Sequence, residues 1–196
     1  PDGENLYLVT DRATDTLRLE RLAVESGEFA VVETERRDHT GDEWNVGGLA
    51  VDEDSRRIVY GRNVEGYTEW TAGELVAPDR IDPFPDPDLP RGVSGGVSFG
   101  PDGDRFAVTV TGDTENANVY VVDARSGAAE RWTDAPTAGI PRETFVESEL
   151  VHYPTFDGRE IPAFFALPET DTGSRETPVI VDIHGGPESQ RRPSFN

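Results

Sequence analysis

The feature that most constrains this chain is an internal repeat that runs from its first residues to about residue 146. Residues 48–60, GLAVDEDSRRIVY, align without a gap on residues 96–108, GVSFGPDGDRFAV, at an offset of 48. Residues 1–8, PDGENLYL, align on residues 53–60, EDSRRIVY, at an offset of 52. Together the two offsets imply a third, of 100. At that spacing RLERLAVESG (18–27) falls on NVYVVDARSG (118–127), which brings Ser26-Gly27 onto Ser126-Gly127. The third match was not used to find the first two, so the register is fixed independently.

Each unit reads as a strand, an acidic turn (PDG or its degenerate form EDS), a second strand, a loop, a third strand, an SG turn and a last strand. Asp102-Gly103 and Ser126-Gly127 are turn signals because glycine accepts the positive φ that tight hairpins need. Four short strands in about fifty residues is the signature of a β-propeller blade. A β-sandwich has similar turns but rarely keeps a constant period. Strands are predicted near 49–52, 57–61, 96–99, 105–111 and 118–123, in consecutive antiparallel sheets.

After about residue 146 the pattern changes. Val151, Tyr153 and Thr155 alternate, Asp157-Gly158 is read as a two-residue turn, and Ile161, Ala163, Phe165 and Leu167 alternate again, which predicts a hairpin. A polar stretch, ETDTGSRET, follows. Residues 178–183, PVIVDI, form an apolar, β-branched run interrupted only by Asp182, as in strands buried within a mainly parallel sheet. The expected fold class is therefore mainly β: a partial β-propeller of four-stranded blades over 1–146, then the first strands of an α/β-hydrolase fold over 147–196.

His184, Gly185, Gly186 and Pro187 directly follow that run, where open α/β sheets place their ligands. In α/β-hydrolases the loop after the third strand supplies one backbone N–H to the oxyanion hole. Glycine suits that place because the backbone must come within hydrogen-bond distance of the developing oxyanion. Pro187 fixes the loop and removes a competing donor.

The stretch 147–196, ESELVHYPTFDGREIPAFFALPE and then PVIVDIHGGPESQRRPSFN, resembles the start of the catalytic domain in the prolyl oligopeptidase family of serine peptidases. The branch it most resembles is the acylaminoacyl-peptidase-like one, in which a similar hairpin precedes a strand ending in HGGP. The resemblance implies that Gly186 donates the oxyanion N–H, that His184 is structural, and that the propeller screens access to the active site. Prolyl oligopeptidases proper carry a Tyr at the place of His184, which disfavours the strict post-proline branch. No GxSxG occurs in these 196 residues. By the resemblance the catalytic Ser, Asp and His lie downstream of Asn196, no catalytic residue of the triad is in this chain, and the chain alone is expected to be inactive. The absence of Met and the end of the chain soon after HGGP are read in the same way, as marks of a piece of a longer protein.

Composition excludes several other functions. Thirty-nine Asp and Glu against eighteen basic residues, every one Arg, give a net charge of -21. Such a surface repels nucleic acid and anionic membranes. A dense acidic shell without Lys suits a halophilic protein in a salt-rich cytoplasm, where self-repulsion is screened. There is no Cys, which removes disulfides and thiolate metal sites. Asp82, Asp86 and Asp88 lie within seven residues but lack the glycine and terminal Glu of a calcium loop, and His39, His152 and His184 have no zinc-ligand spacing. No metal or cofactor is expected, and the expected partner is a short peptide substrate. Two other readings each explain half of the chain: a non-catalytic propeller binding module, and an α/β-hydrolase esterase.

Overall fold

The computed structural model describes residues 3–12, 14–33, 44–167 and 178–196. Three antiparallel sheets follow one another along the chain. The first contains β1 (Asn5–Thr10), β2 (Arg18–Ala23) and β3 (Phe29–Glu33). The second contains β4 (Val46–Asp52), β5 (Arg57–Val64), β6 (Tyr67–Ala77) and β7 (Arg80–Pro83). The third contains β8 (Val93–Phe99), β9 (Arg105–Thr111), β10 (Asn118–Asp123) and β11 (Ala129–Arg131). In each sheet strands adjacent in sequence are adjacent in space, as in propeller blades.

All five predicted strand windows coincide with observed strands. Equivalent residues also share local geometry. Gly48 and Gly96 both have positive φ, of 71° and 69°, at ladder irregularities in β4 and β8. Gly27 donates its N–H to Ala23 at 2.8 Å, and Gly127 donates to Asp123 at 2.9 Å, which is the same turn one hundred residues later.

Strand periodicity distributes the core. In β5, Ile58 and Tyr60 point towards the first sheet and cluster with Leu19, Val32 and Val46. Val59, between them, points the other way and packs with Phe106, Val108 and Val122 of the third sheet. The middle blade is thus buried on both faces. Each large apolar side chain removed from water in this way contributes roughly 1.5–3 kcal/mol. Phe84 and Leu89, on the proline-rich connection from β7 to β8, pack against the second of these clusters. Asp82 at the end of β7 and Asp86 and Asp88 on that connection are exposed.

Two local details differ from the sequence expectation. In the middle blade the expected loop between the second and third strands is a two-residue turn, Glu65-Gly66, with φ of 50° and 91°. Positive φ at both central residues matches the twist of a tight hairpin, so β5 and β6 run further than their counterparts. The second hairpin, β12 (Glu149–Pro154) with β13 (Glu160–Phe165), forms as expected. Its connection is not a two-residue turn: Thr155 donates its N–H to Arg159 at 2.7 Å, which closes a loop over 156–158. That register sets Tyr153 opposite Ile161 and Val151 opposite Ala163, whereas a turn at Asp157-Gly158 alone would shift the partners by one and mismatch the faces.

The apolar run 178–183 is a correction. It forms no strand, and Val179, Ile180, Val181 and Ile183 are 74–93 % exposed. A strand of this composition is stable only with neighbours on both sides, and among the described residues none pairs with it. No α-helix occurs among the described residues, so helices of an α/β layer are absent there too. His39 and the whole of the ETDTGSRET stretch lie outside the described residues.

Candidate functional site

The functional signals converge at one end of the blades, where the Glu65-Gly66 tip, the β9–β10 loop, the β12–β13 hairpin and residues 190–195 meet. The tip projects because the middle blade lacks a loop there, and Gly66 provides a flat seat. A Cβ on Gly66 would lie 3.1 Å from the Phe164 ring and 3.5 Å from Pro193. Phe164 of β13 packs edge-on against Tyr67, with ring centroids 5.6 Å apart. His152 of β12 lies 2.7 Å from the Glu65 carboxylate.

Arg192 donates from Nε to the Gly66 carbonyl at 2.8 Å and from Nη2 to the Thr68 hydroxyl at 2.9 Å. Desolvation lowers its pKa. Asn63 donates to Gln190 at 2.7 Å, and Phe195 donates its N–H to Thr111 at 3.2 Å. On the third blade, the Asp113 carboxylate accepts both the N–H and the hydroxyl of Ser148, at 3.0 and 2.5 Å.

Two hollows flank Tyr67. One, of about 210 Å³, is lined by Tyr67, Arg91, Thr111, Asp113, Glu147 and Pro193. The other, of about 380 Å³, is lined by Glu65, Glu69, Trp70, Asp86 and Pro90 together with the same Tyr67 and Arg91. The Arg91 guanidinium lies 3.7 Å from the centre of the Tyr67 ring, a stacked cation–π contact. Burial raises the pKa of Tyr67, Arg91 opposes the rise, and Asp113, Glu147 and Glu65 add to it, so the phenol stays protonated at neutral pH.

His184, Gly185, Gly186 and Pro187 are all exposed and form one continuous loop just before this docked segment. His184 Nδ1 is 2.8 Å from the Gly185 carbonyl oxygen, a contact within the loop. A Cβ on Gly186 would meet only the Glu188 nitrogen, at 3.9 Å, so the Cα side of the loop faces open space. Asp182, the polar break in the apolar run, pairs with Arg191 at 3.3 Å. Among the described residues the Ser–carboxylate pairs Ser55–Asp52, Ser126–Asp123 and Ser148–Asp113 cap turns or tie segments together. Sequence reasoning missed the docking residues Glu65, Gly66, Tyr67, Phe164 and Arg192. The signal for the tip was an Asn-Val-Glu-Gly stretch between two runs of strand-forming residues, but nothing local marks Arg192.

No protein-family model and no curated protein sequence matches the chain. Solved structures do. A prolyl endopeptidase, from work on inter-domain dynamics in catalysis and specificity, superposes with a TM-score of 0.67 at 16 % identity over 85 % of this chain and 23 % of its own. Prolyl oligopeptidase B from Galerina marginata, bound to a 25mer macrocyclization substrate, gives 0.65 at 14 % identity over 83 % of this chain and 22 % of its own. This chain thus spans less than a quarter of the length of those structures. At such identities the likeness speaks for fold alone: the chain has the architecture of part of the β-propeller region of prolyl oligopeptidases.

Proposed function

We propose that this chain is part of a serine peptidase of the prolyl oligopeptidase type, with residues 1–146 contributing propeller blades and residues 147–196 opening an α/β-hydrolase catalytic unit. The observation that carries this reading is the coupling of its two halves: the segment with the HGGP loop is bonded onto the ends of propeller blades whose fold is that of prolyl oligopeptidases. A binding propeller alone leaves that segment without a role, and an esterase alone leaves the blades without one.

In this reading Gly186 donates its N–H to the oxyanion that forms when a serine attacks the scissile carbonyl, and His184 supports the loop. The nucleophile, its base and the orienting acid belong to the rest of the protein. The blades limit substrates to short peptides. His184 in place of Tyr favours the acylaminoacyl-peptidase-like branch, and the acidic surface favours a salt-rich cytoplasm.

The test is Gly186→Ala in the full-length protein, compared with His184→Asn. Loss of one oxyanion donor costs a factor of about 100 to 1,000 in turnover. Michaelis constants should change far less, because the bond is strongest once charge has developed. Near-normal turnover in Gly186→Ala would remove this glycine from the mechanism.

A further inference from the structure

Arg192 is an unusual residue in a chain so rich in acids. Its guanidinium is half-buried, yet both of its hydrogen-bond acceptors are neutral: a backbone carbonyl and a hydroxyl, on residues 66 and 68 of one strand. A planar fork that spans two acceptors fixes direction as well as distance, which an ammonium does not. The acceptors sit on a two-residue tip that joins the second and third strands of the middle blade, whereas in the next blade the same connection is a longer loop over 112–117. The tip accepts the segment from several sides at once, with Pro193 and Phe164 against Gly66 and Gln190 on Asn63. Phe195 adds a bond to Thr111 of the next blade and an edge-on contact with Phe145, centroids 5.0 Å apart.

Upstream of Gln190 the segment has no such seat. Residues 178–190 are exposed throughout. Two residues, Glu188 and Ser189, separate Pro187 from Gln190, so three Cα-to-Cα steps keep the loop within roughly 11 Å of a fixed point. Where Gly186 points is therefore governed by how firmly the segment after it is held.

We propose that Arg192 is a positioning residue: by chelating the Gly66 carbonyl and the Thr68 hydroxyl, it fastens the 190–195 segment to the middle blade and so orients the Gly186 N–H for the reacting carbonyl. This rests on the peptidase reading given above. The extended β5–β6 hairpin is then a post built into one blade for this purpose, and Gly66, which its φ of 91° already requires to be glycine, leaves room for the two partners on its face.

The experiment has two arms. In the 196-residue chain, amide hydrogen exchange is followed in the parent, Arg192→Ala and Arg192→Lys. Loss of two bonds from a charged donor should speed exchange over 188–196 by roughly tenfold or more, with β5, β6 and β9 unchanged and Lys restoring only part of the protection. Unchanged exchange in Arg192→Ala overturns the proposal, whatever the protein catalyses. In the full-length protein, Arg192→Ala should lower turnover with little change in Michaelis constant. A raised Michaelis constant at full turnover overturns it as well. If Gly186→Ala abolishes turnover while Arg192→Ala does not, this inference fails and the peptidase reading stands. If Gly186→Ala has no effect, the peptidase reading fails and takes the positioning role with it.

Discussion

Gly48 and Trp70 are in contact across β4 and β6: a Cβ built on Gly48 would lie 2.9 Å from Trp70 Cη2. Gly96 holds the same place in the next blade with the same φ, but a Cβ there would meet nothing within 4 Å. Alanine at Gly96 should cost only the left-handed backbone strain, roughly 1–2 kcal/mol. Alanine at Gly48 should add roughly 1–3 kcal/mol for displacing a packed indole. Denaturant midpoints of the two variants test this. Equal losses would mean that Trp70 yields freely.

Arg57 and Asp104 form an asymmetric pair at 2.6 Å, with side-chain exposures of 8 % and 62 %. Arg57 also donates to the buried Gly103 carbonyl at 2.5 Å, which ties the second blade to the third. Arg57→Ala strands that carbonyl and removes a packed stem, at a cost of roughly 1–3 kcal/mol from the unmade bond alone. Asp104→Asn should cost under about 1 kcal/mol, as for an exposed partner. Comparable losses for the two, measured by urea unfolding, would contradict this assignment.

Two turn aspartates set part of the acid limb of stability. The Ser55 hydroxyl, and then its N–H, hold Asp52 below the usual carboxylate range, and Asp123 is held down first by the Ser126 N–H and then by its hydroxyl. A pKa depressed in the folded state stabilises above the unfolded value, here 3.8, and that stabilisation is lost as pH falls below it through the folded pKa. Both residues are only partly buried, so solvent screens each effect and keeps it small. Asp52→Asn should flatten the drop of the urea midpoint below about pH 4. A slope identical to that of the parent would show the caps to be without weight.

Salt should stabilise the chain. With a net charge of -21, surface repulsion grows as the Debye length lengthens from about 3 Å at 1 M to about 10 Å at 0.1 M. Thermal melting at several salt concentrations is a sufficient test. Equal melting temperatures in dilute buffer and molar salt would argue against a protein adapted to concentrated salt.

What was legible in the sequence was what repeats locally. The glycines at 48 and 96, the SG turns and the alternation in β5, β9 and β10 report on each blade by themselves, because a strand in a meander needs only its sequence neighbours. The run 178–183 reads equally well as a strand, but a central parallel strand depends on partners far along a chain, and composition cannot supply them. The site divides in the same way. HGGP is visible as a motif, whereas its anchorage by Arg192 depends on a hairpin tip 126 residues away and has no local signature.

Within β5, Val59 belongs to one core and its neighbours Ile58 and Tyr60 to the other. One strand is therefore common to both clusters, and neither can be loosened at β5 without the other. A truncation such as Val59→Ala is expected to weaken the packing of the third sheet directly and that of the first through the shared backbone of β5.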